Sequence, residues 1–487
     1  MKPPINRREF VALGGGVIAG AALTRATSRH DPPRDRIPRF DVPLPIPRVL
    51  EPLRTDETTD YYEIVQSEER VEILPGRHTV IWGYNGTFPG PTIKARRGRT
   101  VVVRHVNRLS APTAVHLHGG VTPPESDGFP TDHVLPGEAR EYRYPNVQRA
   151  ATLWYHDHTM ERTGRNIYMG LSGLYLLEND DEHSLGLPDG PYDVPLLIQD
   201  RRFESDGSFQ YKMENHLGAK SGMMLVNGAP WPRLDVSTRA YRFRIVNGSN
   251  ATPLRLALSS GDSMIQIATD GGLLPTPIAC QRIPLGMAER VEVIIDFSRH
   301  PVGTDIVLQN LDTRGATGSI SGEIMQFHVA RVERDGRAIP ARLAESEALD
   351  RSAAVRTRQF VFSVRPSFDP LPSPSWRING QRFDAETPIA SPRYGDCEIW
   401  RFTNRRFLGV LGIVHPVHVH LVAFKVVERN GGPPLPHETG WKDTVSVDRD
   451  EAVSVMARFD GYRGRFLLHC HNLEHEDHSM MVRFDVV

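Results

Sequence analysis

Cysteine is scarce in this chain, with only Cys280, Cys397 and Cys470 among 487 residues. So few exclude a fold stapled together by disulfides. A bridge between Cys280 and Cys397 and a pair of buried free thiols both stay open, because a sequence carries no distances. An excess of one charge is also missing. The 58 Lys and Arg against 59 Asp and Glu leave a net charge of -1, which gives no basic footprint for nucleic acid and no attraction to an acidic membrane. No apolar run is long enough to span a bilayer. The 12 methionines are scattered rather than gathered into a Met-rich run, and helical periodicity is weak.

Turn formers are plentiful, with 39 Pro and 41 Gly. Together with alternating strand-like runs they predict an all-β chain of antiparallel sandwiches. The length suits about three domains. A repeat supports that number. Asn85-Gly86, Asn227-Gly228 and Asn379-Gly380 each lead into a strand-like run that ends on Asn107, Asn247 or Asn404, roughly 20 to 25 residues later. Self-similarity on this scale marks tandem units.

Histidine carries the chemistry. Of 20 in the chain, eleven fall in four short windows: His116-Leu117-His118, His156-Asp157-His158, His415-Pro416-Val417-His418-Val419-His420, and the run from His469 to His478. On a strand, residues i and i+2 project to one side, so each His-x-His is a two-toothed clamp for a metal. The last window adds Cys470 and Met480 to its imidazoles. A Cys with two His and a weak axial Met is the ligand set of a blue-copper electron-transfer centre. If residues 469 to 471 form a strand, Cys470 faces one site while His469 and His471 face another, on the order of 10 Å away. One tripeptide then wires two metal sites together, which is the arrangement of a copper oxidase.

In order and spacing, the four windows resemble the copper-binding signatures of the multicopper oxidases. Residues 116–130, 154–173, 440–445 and 469–481 are most similar to the spore-coat laccase and bilirubin oxidase branch. The resemblance implies three tandem cupredoxin-like Greek-key β-sandwich domains and four copper ions: one type 1, one type 2 and two type 3. Carried over by residue, it implies His415, Cys470, His475 and Met480 for type 1, with Met481 as an alternative axial ligand. It implies His116 and His418 for type 2, and His118, His156, His158, His420, His469 and His471 for the type 3 pair. No ligand position is missing, which speaks against the copper-free structural relatives of this family. A two-domain nitrite reductase is excluded by the presence of all four windows in one three-domain chain.

The implied partners are dioxygen and a small-molecule electron donor, with a monomer favoured although the sequence gives no oligomeric state. Electrons are expected to enter at His475 and His415, whose ring edges would reach the surface, and to pass from Cys470 through His469 and His471. Asp127 and Glu476 match positions near the oxygen-reducing cluster in similar laccases and are the candidate proton carriers or orienters of ligand imidazoles. Trp441-Lys442-Asp443-Thr444 reads as a structural strand without chemistry. Phenols and aromatic amines are the first expectation for the donor, then bilirubin, then a metal ion such as Cu(I), Fe(II) or Mn(II). Gly412-Ile413-Val414 lacks the Trp that bilirubin oxidases carry beside this ligand, and the absence of a Met-rich run disfavours Cu(I). Residues 404–414 and 430–437 are expected to edge the donor site.

The expected boundaries are an export signal over 1–28, then domains over 40–180, 190–335 and 356–487, the last holding type 1 copper. Asn6-Arg7-Arg8-Glu9-Phe10 before a Gly- and Ala-rich run resembles a twin-arginine signal. Cleavage near Ala22 or Ala26 and a periplasmic or extracellular location follow as expectations. Residues 29–52 read as an arm or flexible lead-in, and the charged stretch 333–358 as a linker, partly helical. The middle domain has His216, His300 and His328 but no clamp, and reads as a spacer. Two windows come from each end domain, so the cluster must lie at their interface.

Overall fold

The computed structural model describes residues 37–212, 218–219, 222–312, 322–334, 338–347, 349–367, 373–405 and 413–487. The expected export signal, His216 and most of the expected donor-site loop at 404–414 lie outside the described residues.

Among the described residues, strands form six sheets in three successive pairs. In the first pair, the strands Thr59–Leu74 and Thr100–Asn107 belong to a five-stranded sheet, and Val115–His118, Ala151–Asp157 and Ser172–Glu178 to a four-stranded one. Ile64, Trp82, Val101, Val115, Leu153 and Tyr175 from both sheets pack into one core. The middle unit pairs a seven-stranded with a five-stranded sheet around Phe243, Ile295 and Phe327. The third pairs a five-stranded sheet with a four-stranded one that contains His415–Val419 and Gly464–Cys470. The alternating apolar residues of each strand fill the space between sheets, as sandwiches require.

The sequence repeat is a structural repeat. Asn85, Asn227 and Asn379 have φ of 52, 51 and 52°, each followed by a glycine in the same left-handed region, as a tight hairpin turn demands. Each Asn side-chain oxygen accepts from a strand N–H, those of Val65, Leu197 and Val361. Asn107, Asn247 and Asn404 each use the side-chain amide to hold two backbone carbonyls.

One expectation fails. Five of the six sheets are mixed, each with one parallel pair, and the four-stranded sheet of the third unit is antiparallel throughout. Thr59–Leu74 runs parallel to Thr100–Asn107, Asp193–Arg201 to Ala240–Asn247, and Ala354–Ser367 to Cys397–Asn404. In each unit an intervening hairpin arm and crossover bring the chain back beside the first strand in the same direction, which alternation of side chains cannot reveal.

Residues 37–52 form an arm rather than a free lead-in. Leu44 N donates to Arg233 O in the middle unit, and Leu50 N to Thr92 O in the first. In the expected linker 333–358, the only helical turn among the described residues is the 3₁₀ turn Arg351–Ala353. Cys280 and Cys397 are free thiols, so no bridge joins them. No helix among the described residues is long and apolar enough to cross a membrane.

Candidate metal centre

Val115–His118 pairs antiparallel with Ala151–Asp157, placing His116 opposite His156. In the third unit His418 lies opposite His469 and Val417 opposite Cys470. All four His windows therefore sit on the ends of adjacent strands, two on each side of the junction between the end units. Every histidine among the twelve expected ligands is buried, as are Cys470 and Met480.

The ring nitrogens divide into outer and inner sets. Outer nitrogens are held by oxygen: His116 Nδ1 lies 2.6 Å from Asp127 O, His418 Nδ1 2.9 Å from Asp443 O, and His156 Nδ1 2.8 Å from Asp157 O. His420 Nδ1 is 2.7 Å from Asp127 Oδ2, and His469 Nδ1 is 3.0 Å from Glu476 Oε2. His118 is turned the other way, with Nε2 3.1 Å from Asp443 Oδ1 and 3.0 Å from Thr444 Oγ1. Each outer N–H donates, which leaves the inner nitrogen of the neutral ring as a bare lone pair.

Those lone pairs converge. His116 Nε2 and His418 Nε2 are 3.4 Å apart, His420 Nε2 and His469 Nε2 3.1 Å, His158 Nε2 and His469 Nε2 3.4 Å, and His156 Nε2 and His118 Nδ1 3.5 Å. Lone pairs facing each other at such distances in a dry interior repel, and a cation between them turns the repulsion into ligation. His471 completes the set with His118 and His156, and both its ring nitrogens lack a hydrogen-bond partner among the described residues. Burial holds His116, His118, His418, His420 and His471 below their ordinary pKa, and brings His156 to about 3 and His158 to about 4. They are thus neutral, the form that binds metal.

A second site lies beyond Cys470. Its Sγ is 3.3 Å from His415 Nδ1 and 3.6 Å from His475 Nδ1, and the two Nδ1 atoms are 3.3 Å apart. Burial pushes the Cys470 thiol well up, so a thiolate here needs a bound cation beside it. The short helix Leu473–Asp477, capped by the Asn472 side chain accepting from His475 N, carries His475 back toward Cys470. Met480 belongs to the apolar cluster that contains Cys470, while Met481 packs with Phe129 and Leu467 on the other face. Met480 N donates to His475 O and Met480 O accepts from Cys470 N.

His415 and His475 do not reach the surface as expected from the sequence; they are 3 % and 0 % exposed. The Trp376 ring stacks on His475 at 3.7 Å and meets His415 edge-on at 5.9 Å. The expected donor-site segment 430–437 docks on the middle unit, where Gln266 Nε2 donates to His437 O.

Both candidate carboxylates touch the cluster. Glu476 lies within 3.5 Å of His158 Nδ1 as well as near His469. Burial would raise its pKa, but the ring nitrogens of His469 and His158 turned toward it outweigh that and hold the carboxyl below its ordinary value. Burial pushes Asp127 up, and a cation among its histidines would oppose that. The Asp127-Gly128 turn is real as well. Gly128 has φ of +78°, and a Cβ there would stand 2.2 Å from Val115 O.

The sequence reading missed Asp443 and Thr444, which touch both His118 and His418. A signal was present: Lys442 and Asp443 set two opposite charges side by side directly before the strand Thr444–Val447, a mark of pairing where the stretch is buried. The middle unit places His300 against Asp262 and His328 against Asp305, away from any metal cluster found among the described residues.

Comparison with known proteins gives the same picture. Family models described as multicopper oxidase match residues 66–182 and 351–487. The chain is 36% identical to a laccase of Bacillus subtilis (strain 168), over 92% of this chain and 98% of the relative. It is 36% identical to a bilirubin oxidase of Albifimbria verrucaria, over 92% and 81%. A solved laccase from Pediococcus acidilactici superposes with a TM-score of 0.84 at 32% identity, covering 92% of this chain and 94% of that one.

Proposed function

The chain belongs to the multicopper oxidase family, and on that premise we propose that it is a laccase-like oxidase, taking single electrons from phenols or aromatic amines and passing four to dioxygen to form water. The observation that carries this reading is the joining of two converging donor sets by one tripeptide, His469-Cys470-His471.

We assign His415, Cys470, His475 and Met480 as the residues that would hold type 1 copper, and His116 and His418 as those that would hold type 2. The type 3 ions fall to His118, His156 and His471 on one side and His158, His420 and His469 on the other, a division supported by their grouping. Four ions in all is the count this donor set supports. Copper bound there supplies reversible one-electron steps that gather the electrons dioxygen requires. The chain's own residues do the rest. Cys470 offers a thiolate whose backbone leads directly to His469 and His471. Their environments push the pKa values of Asp127 and Glu476 apart: Asp127 is the one fitted to hold a proton and Glu476, kept ionised, the one fitted to accept and pass one, beside the imidazoles they orient. The dry, buried setting keeps water away from the ring nitrogens that face inward as ligands.

Bilirubin and the metal ions Cu(I), Mn(II) and Fe(II) are the other donors to be weighed. Oxygen uptake with a substituted phenol, bilirubin and each metal ion, alongside metal analysis, tests the proposal. Preference for a metal ion over every organic donor would overturn the donor class, and copper-free material after reconstitution would overturn the site. We further propose export by the twin-arginine route to the periplasm or beyond, supported by Arg7-Arg8 and the run that follows. Replacing both by Lys should retain the protein in the cytoplasm.

A further inference from the structure

Arg290 opens the strand Arg290–Asp296 of the middle unit and is wholly buried. All five of its guanidinium N–H groups are used. Nε donates to Thr152 O in the first unit. Nη1 donates to Ala288 O and Nη2 to Asp270 O in the middle unit. The remaining two donate to Asp443 of the third unit, Nη1 to Oδ1 at 2.6 Å and Nη2 to Oδ2. Three units thus meet on one side chain.

Asp443 hands that constraint to the metal centre. Its Oδ1 faces His118 Nε2, its backbone oxygen accepts from His418 Nδ1, and Thr444 Oγ1 bridges the two rings. His118 and His418 come from different end units, and their rings stack at 3.7 Å. The neighbouring Lys442 is tied to the middle unit as well, 2.9 Å from Asp270 and 3.2 Å from Glu289. Gly119, directly after His118, has φ of +81°, and a Cβ there would lie 2.5 Å from Arg290 Nη2 and 2.6 Å from Asp443 Oδ2. The chain leaves room for this fork at the residue next to a candidate ligand.

We propose that Arg290 is a positioning residue of the oxygen-reducing centre, acting through Asp443 on His118 and His418, so that the middle unit sets the geometry of a cluster to which it contributes no ligand. This rests on the reading of those histidines as copper ligands. A fixed Asp443 carboxylate takes the Nε2–H of His118, which selects the tautomer that turns Nδ1 inward. Released, the carboxylate no longer specifies which nitrogen His118 presents, nor the approach of the two end units.

The test uses copper-loaded full-length protein carrying Arg290→Gln, Arg290→Lys or Arg239→Gln; the last breaks a pair with Glu333 elsewhere in the middle unit. Three quantities are read: the blue type 1 band, the type 2 electron paramagnetic resonance signal, and the rate at which reduced enzyme is reoxidised by dioxygen. Arg290→Gln should keep the blue band, alter or lose the type 2 signal, and slow reoxidation about 10- to 100-fold. Arg290→Lys keeps the charge without the fork and should recover only part of the rate, still with an altered type 2 signal. Wild-type signal and rate in Arg290→Gln would overturn the proposal. So would the same changes in Arg239→Gln at an equal loss of melting temperature. If Arg290→Gln does not fold, an unaltered type 2 signal in Arg290→Lys overturns it instead. Wild-type protein that takes up no copper refutes the ligand reading itself, a separate result.

Discussion

The Nε2 atoms of His116 and His418 lie 3.4 Å apart although 302 residues separate them in the chain. One comes from the first sandwich and the other from the third, and each presents a bare lone pair because its Nδ1 is engaged by a backbone carbonyl, that of Asp127 or Asp443. Neither end unit holds this pair alone, so the histidine cluster exists only when the two units are docked.

His418→Asn removes one tooth of that junction. Type 2 copper should be lost while the blue type 1 band persists, and oxygen uptake should fall by at least about 10-fold. Metal analysis with visible absorbance checks this; full copper content and full uptake would contradict the assignment.

Cys470→Ser replaces the soft thiolate by a hard hydroxyl. The blue colour should vanish, with copper retained at the cluster histidines, and oxidation of organic donors should cease. Persistence of the blue band would place type 1 copper elsewhere.

Asp127→Asn and Glu476→Gln keep shape but lose the carboxylate that holds His420 in one case and His469 in the other. Dioxygen reduction should slow about 10- to 100-fold with the blue band intact. Stopped-flow reoxidation of reduced protein is the measurement, and wild-type rates in both would remove these groups from the mechanism.

Acid should destabilise the copper-free protein. Burial holds His105, His156 and His415 at about 3 and His158 at about 4 in the folded chain, against about 6.5 unfolded. Below pH 6.5 the unfolded chain therefore binds protons that the folded one refuses. Stability is lost as pH falls from about 6.5, and the loss continues until the folded values near 3 to 4 are reached. Four such groups cost on the order of 5 kcal/mol at pH 5.5, comparable with the whole stability of a domain. Urea unfolding of the apo-protein between pH 7 and 5 reads this directly; a flat midpoint would refute it.

The clamps were legible because a strand has a period of two, so His-x-His pairs and the Cys470 between His469 and His471 declare their geometry locally. The three Asn-Gly turns were legible for a similar reason, since left-handed φ is a demand made on single residues. The burial of His415 and His475 was not. It depends on Trp376 stacking from another strand, a contact that no local pattern encodes. Asp443 looked like a strand residue for the same reason: its partners are Arg290, 153 residues away, and His118, 325 residues away.

By itself, then, the sequence determined which side chains are metal-type donors, that they come in strand-spaced pairs, and that one cysteine lies between two of them. These follow from covalent spacing and backbone period. Only the tertiary structure decided which nitrogen of each ring faces inward, which histidines share an ion, and that an arginine of the middle sandwich braces the centre. Those depend on hydrogen bonds and ion pairs between units, whose partners meet only after three separate cores have formed and docked.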